Sequence, residues 1–248
     1  MIPLATQRRN RLPTLRSQRG SICAAYPGAW ASNQPGATDP YYADVVNLSH
    51  FDGANGATTY VDNGPLATNL GQFGTGALST SQAKFGTASL SSGGGGAGNS
   101  GNTIYKIGTS DFTVEMWLYP TSFPYNMNTC YWDDTAGNNG LTVLGTTGYL
   151  RFWLGGSNTD YTTALTLNAW NFVAYSRTGS AGKLYLGGTL QGSGLTDSVN
   201  HTSDSIYVGM YSGDINNFQG YVDDFRFTIG VGRYSASCPV PTAPFPNT

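Results

Sequence analysis

The sequence predicts an all-β sandwich preceded by an extended arm, and three observations carry that prediction. Glycine supplies 34 of the 248 residues and proline 12, while windows rich in Leu, Lys and Glu that would sustain helices are nearly absent. Apolar and polar residues alternate with period two in one short segment after another, with turn residues between them. At this length the chain can bury the core of one large domain and still carry an appendage.

The appendage is residues 1–39. It has little periodicity, scattered prolines (Pro3, Pro13, Pro27, Pro35) and isolated apolar residues, so nothing in it can pack alone. Of the twelve basic residues, Arg8, Arg9, Arg11, Arg16 and Arg19 lie in the first twenty positions, with no acid among them. The rest of the chain holds 7 basic and 14 acidic residues, 7 minus 14 or −7. A basic arm on an acidic body points to an arm that docks on another protein surface. Clustered arginines also neutralise phosphates, but no aromatic residues interleave these and the body has no basic face, which argues against nucleic acid. Cys23, Cys130 and Cys238 are odd in number and widely spaced, which predicts free thiols rather than a disulfide framework or zinc site. No secretory or membrane-length apolar run is present, so the expectation is a soluble chain made in the cytoplasm.

The body opens at DPYY. Val45 to Phe51 reads as a strand, Asn55-Gly56 as a turn and Thr58 to Val61 as a short strand. Two similar phrases follow around Phe73 and Phe85, and Gly93 to Gly101 reads as a flexible glycine loop. In SDFTVEMWLYP, Phe112, Val114, Met116 and Leu118 form an apolar face. Glu115, Trp117 and Tyr119 share the other, which either stacks a sugar ring or is covered in its turn. The segment 122–139 reads as a turn-rich loop whose Tyr131, Trp132 and Asp133 either rim a ligand or pack beneath the loop. Strands are expected at 141–144, 149–154, 170–177, 183–191 and 205–210, followed by GYVDDFRF and a proline-rich closing strap. In GYVDDFRF the alternation places Asp223 with Tyr221, Phe225 and Phe227, where a carboxylate needs an arginine, backbone donors or a cation.

The ordered series LSHFDGANGATTYVD, AKFGTASL, SDFTVEMWLYP, WNFVAYSRTGSAGKLYLGG, SIYVGM, FQGYVDDFRFTIGVGRY and TAPFP resembles the concanavalin A-like, laminin-G-like jelly-roll domain. More narrowly it is similar to the version found in particle and tail proteins of tailed bacteriophages. The resemblance implies a jelly-roll β-sandwich over residues 40–248, with the proline-rich strap at its end and the arm of residues 1–39 before it. It also implies a virion structural protein, a homo-oligomer or present in many copies on the particle, whose arm anchors the domain to other virion subunits. The alternative it implies is an adhesin module that binds host glycans through Trp117, Tyr119, Tyr131, Trp132 and Asp133. Family members often hold calcium, and the matching positions are Asp52 and Asp223, too few without carbonyl oxygens to complete a shell. Glycosidases on related folds need paired carboxyl groups. Glu115 is the only glutamate here, so a binding or structural role rather than catalysis is expected.

Overall fold

The structure is a computed structural model that describes residues 38–133, 139–211, 216–236 and 240–248. The proposed arm therefore lies almost wholly outside the described residues, as do Cys23 and Cys238; Cys130 is a free, buried thiol.

Seventeen strands form two antiparallel sheets among the described residues. Sheet I contains β1 (Val45–Ser49), β4 (Ala77–Ser79), β5 (Ser89–Ser91), β7 (Phe112–Pro120), β12 (Asn171–Thr178), β13 (Ala181–Leu186), β14 (Thr189–Leu190), β15 (Leu195–Thr196) and β17 (Gly220–Ile229). Sheet II contains β2 (Thr59–Tyr60), β3 (Leu70–Gly74), β6 (Gly95–Asn99), β8 (Met127–Trp132), β9 (Gly140–Leu144), β10 (Tyr149–Leu154), β11 (Ser157–Ala164) and β16 (Ile206–Val208). Sheet I runs β14-β13-β12-β7-β17-β5-β4, with β1 on the far half of β17 and β15 on β13; sheet II runs β11-β10-β9-β8-β16-β6-β3-β2. The inward faces meet in one apolar core that includes Phe112, Val114, Met116, Leu118, Val143, Phe152, Tyr175, Val208 and Phe227. The predicted sandwich is therefore observed.

Three expectations change, each for a physical reason. Gly93 to Gly101 is not a loop: β6 lies inside sheet II and is mostly buried. A side chain at Gly96 or Gly98 would run into Met210, Tyr207 and Phe73, so these glycines give neighbouring side chains room to lie across the strand. The segment 122–139 contains β8, which is buried from Asn128 to Trp132. The polar strand β11 has no apolar alternation to announce it, with Tyr161 as its single buried residue.

The third change concerns Asp223. Tyr221, Val222 and Asp223 pair with Tyr119, Leu118 and Trp117, whereas Arg226 pairs with Glu115, so β17 carries an extra residue. Asp224 sits in that bulge at φ 48°, a left-handed conformation that Asp tolerates better than most residues. The extra residue reverses the alternation. Val222, Phe225 and Phe227 face the core while Asp223 joins Trp117 on the outer face of sheet I, away from the two phenylalanines.

The outer face of sheet I is covered by the C-terminal strap, whose Tyr234 and Phe245 pack with Val45, Leu48, Trp117, Phe172 and Tyr185. Beneath the strap lies a charge cluster from which solvent is excluded. Arg226 reaches Glu115 Oε2 at 2.8 Å and Asp39 Oδ2 at 3.0 Å, and Arg233 reaches Asp39 Oδ2 at 2.8 Å. Tyr234 donates its hydroxyl to Glu115. Burial alone would raise the Asp39 carboxyl, but the two guanidiniums outweigh it and hold it below the usual carboxylate range. The main-chain N–H of Asp39 donates to the Thr248 carbonyl at 2.8 Å. Both ends of the sandwich therefore meet on this one face.

Candidate functional site

The opposite side of the molecule is built differently. On the outer face of sheet II, cross-strand pairing sets Asn158, Trp153, Gly140, Trp132, Tyr207, Gly98 and Gly71 in one row across seven strands. Gly140 and Gly98 leave space that adjoining rings fill: a Cβ at Gly140 would strike the Trp132 indole, and one at Gly98 would strike Tyr207 and Phe73. Tyr211 packs edge-on against Trp132 at 5.0 Å and Phe73 against Tyr207 at 5.3 Å. Trp153, Phe73 and Tyr211 are half-buried, while Trp132 and Tyr207 lie deeper. The indole N–H of Trp132 has no acceptor among the described residues. Alongside runs a polar row, in which Arg151 forks onto Asp160 with Nη2 to Oδ2 at 2.8 Å. Trp153 donates its indole N–H to Thr142 in the same row at 3.2 Å. The arrangement offers apolar ring faces next to hydrogen-bonding groups on a rigid sheet.

The five residues expected to bind a glycan do not share this face. Trp117 is buried on the outer face of sheet I, edge-on to Phe85 and with the Lys84 ammonium 4.0 Å from its ring. Tyr119, half-buried, packs against Trp170 and Tyr221 on that same side. Tyr131 points inward, stacked against Phe225 in the core. Only Trp132 belongs to the aromatic row. The correction has one cause: β7 is central and covered, and β8 is a strand, so its successive residues face opposite ways. Trp153, Tyr207, Tyr211 and Phe73 were missed. The alternation Tyr149, Arg151, Trp153 against Leu150, Phe152, Leu154 held the signal that could have found Trp153.

Asp133 is also buried rather than on a rim, bonded to His201 Nδ1 at 3.0 Å. The other ring nitrogen of His201 meets Asp197 at 3.3 Å, and Asp197 in turn takes Arg177 at 3.1 Å and the Tyr175 hydroxyl at 2.8 Å. Burial would lower the His201 pKa, but the hydrogen bonds and charges of the two aspartates override it and raise the imidazole to about 9. A folded-state pKa above the unfolded value gives stability that is complete below about pH 6.5 and lost as pH rises through about 9. Urea unfolding at stepped pH should show this fall, on the order of 3 kcal/mol, and a His201→Gln variant should lack it.

The calcium expectation fails a test of fit. Asp223 Oδ2 accepts the main-chain N–H groups of Lys84 at 2.6 Å and Phe85 at 3.1 Å, and Asp52 Oδ1 accepts the main-chain N–H of Thr87 at 2.5 Å together with its hydroxyl at 3.0 Å. Burial, opposed by those backbone donors, raises the Asp223 carboxyl to about 7. N–H donors stand where a cation needs oxygen ligands. Among the described residues no three His, Cys, Asp or Glu side chains are grouped to hold a metal. Glu115 is enclosed with Arg226 and Tyr234 and meets no solvent, which leaves it no route to a substrate.

The family model described as the concanavalin A-like lectin/glucanases superfamily, laminin G type, matches residues 92–228, more than half of the chain. The chain belongs to that superfamily. Among solved structures, domain 4 of a GH43 extracellular arabinanase from Geobacillus stearothermophilus, in complex with arabinotriose, aligns with this superfamily member at TM-score 0.57 and 16% identity, covering 80% of this chain and 95% of that one. Trypanosoma rangeli sialidase in complex with sialic acid aligns at TM-score 0.58 and 15% identity, over 84% of this chain and 34% of the sialidase. A botulinum neurotoxin type C structure, described by cell entry that depends on two ganglioside molecules, aligns at TM-score 0.53 and 13% identity, over 76% of this chain and 48% of the toxin chain. These likenesses establish the shared fold. The chain spans about a third of the sialidase and about half of the toxin chain. No curated protein matches, and no helix among the described residues is long and apolar enough to cross a membrane.

Proposed function

We propose that this superfamily member is a glycan-binding module held on a larger particle, the virion of a tailed bacteriophage, by its N-terminal arm. The observation that carries the glycan reading is the row of aromatic rings on the outer face of sheet II, bordered by Arg151, Asp160 and Thr142. A sugar presents a C–H face that stacks on such rings and hydroxyls that bond to the polar row. The arabinanase domain in complex with arabinotriose supports the reading by example. Titrating the full-length chain with oligosaccharides from bacterial surface polysaccharides should quench the fluorescence of the half-buried Trp153. Absence of saturable quenching across such a panel would remove the glycan reading.

The anchoring reading is favoured by the meeting of Asp39 and Thr248 on the face opposite the aromatic row. An arm leaving from there holds the module with its aromatic face outward, and many copies on one particle add avidity to weak sugar contacts. Deleting residues 1–20 should leave the melting temperature unchanged and abolish incorporation into particles, scored by sedimentation with purified virions. Normal incorporation of the truncated chain would end the anchoring reading.

A further inference from the structure

At the free edge of sheet II, where β11 pairs with β10 and with no second strand among the described residues, a cleft of about 330 Å3 opens between the sheets. Its apolar lining includes Phe152, Leu154 and Leu195, and its polar lining includes Asn158, Thr196 and Ser198. We infer that this cleft is a second saccharide subsite, continuous with the aromatic row and selective for a neutral sugar residue. The inference rests on the glycan reading above and adds to it both a place and a charge preference.

Three observations lead there. First, among the described residues no acidic, basic or histidine side chain lines the cleft, and the charges next to it are turned away and neutralise one another. Asp197, between Thr196 and Ser198 in the chain, is buried against Arg177 and His201. A carboxylated or sulfated sugar would lose hydration here and gain no counter-charge, whereas a neutral ring loses little. Second, the Thr196 and Ser198 side chains are exposed and make no hydrogen bond within the described protein, so their donors and acceptors remain open to hydroxyls. Third, the walls are fixed before any ligand arrives. Phe152 stacks on Tyr175 at 3.7 Å and Tyr175 bonds to Asp197 at 2.8 Å, while Asp197 donates its main-chain N–H to the Ser180 carbonyl and accepts the Val199 N–H through Oδ1. A rigid wall spares a ligand the cost of ordering it. Continuity with the aromatic row comes from Asn158, which borders the cleft and pairs across the strands with Trp153. A chain of sugars lying on the row passes off the sheet edge at this residue.

The test uses the full-length chain with neutral hexasaccharides of glucose, galactose and xylose, the matching disaccharides, and the same hexasaccharides ending in a uronic acid. Ser198→Trp fills the cleft and Ser198→Glu charges it. Ser198 is exposed and unbonded, so both variants should keep the wild-type melting temperature. For the neutral hexasaccharide that the wild type binds, both should weaken affinity about tenfold, while the disaccharide, held on the row, is bound as before. The uronic acid form should bind the wild type more weakly than the neutral one. Unchanged hexasaccharide affinity in both variants, or equal affinity for the acidic and neutral forms, overturns the subsite. In that case Trp153→Ala still weakens binding if the aromatic face is the main site. If no saccharide binds the wild type, the glycan reading and the subsite fall together.

Discussion

Replacing Arg226 by Met should destabilise the domain by about 3–5 kcal/mol, because it removes one of the two guanidiniums that balance the buried Glu115 and Asp39 carboxylates and leaves Arg233 to face both. Arg226 lies under the strap with no exposed surface and binds Glu115 at 2.8 Å and Asp39 at 3.0 Å. Its guanidinium also sits 3.8 Å from the centre of the Phe245 ring, so the strap loses a contact at the same time. Folded domains are stable by only about 5–15 kcal/mol, so the loss is a large share of the whole. Urea denaturation read at neutral pH measures it. The double variant Arg226→Met with Glu115→Leu should be more stable than Arg226→Met alone, because it removes a stranded charge along with its partner. A loss below about 1 kcal/mol for the single change would place the cluster among exposed ion pairs and contradict its enclosure.

Trp153→Ala should weaken glycan binding by at least about thirtyfold, the effect expected when a ring at the centre of a binding face is removed. The melting temperature should change little, because Trp153 is half-buried on the outer face of sheet II and not part of the core between the sheets. Trp117→Ala is the control with the opposite signature. Trp117 lies buried beneath Phe85 and Phe172 on the other side of the molecule. Its loss should lower stability by about 3–5 kcal/mol and leave saccharide affinity as it was. Isothermal titration with thermal unfolding on both variants separates the two roles.

The fold was legible because period-two alternation survives wherever one face of a strand is buried: β7, β10, β12 and β17 lie within a residue or two of where the pattern puts them. The failures have particular causes. β6 is nearly all glycine, so no side-chain pattern marks it, and its burial is decided by the rings that lie across it from β3 and β16. β11 is polar because the side chains on both of its faces are exposed, Tyr161 excepted. The bulge at Asp224 is a single inserted residue, and alternation carried through it assigns Asp223 to the wrong face. The binding face was harder to see than the fold. Its members come from β3, β8, β10 and β16, far apart in the chain, and register alone sets Trp153, Trp132 and Tyr207 in one row. Local aromatic content pointed to Trp117 and Tyr131, which the neighbouring strands and strap enclose. The expected role of Asp133 failed similarly, because its partner His201 lies sixty-eight positions away.

The most direct measurement of the central claim is amide hydrogen exchange of the full-length chain with and without the tightest-binding oligosaccharide from the panel. If glycan lies on the outer face of sheet II, added protection falls in β8, β10 and β16 and at the β10–β11 turn, and sheet I with its strap exchanges as before. Protection centred on β7, on the segment around Lys84 and Phe85, or on the strap would put the ligand on the opposite side and contradict the account.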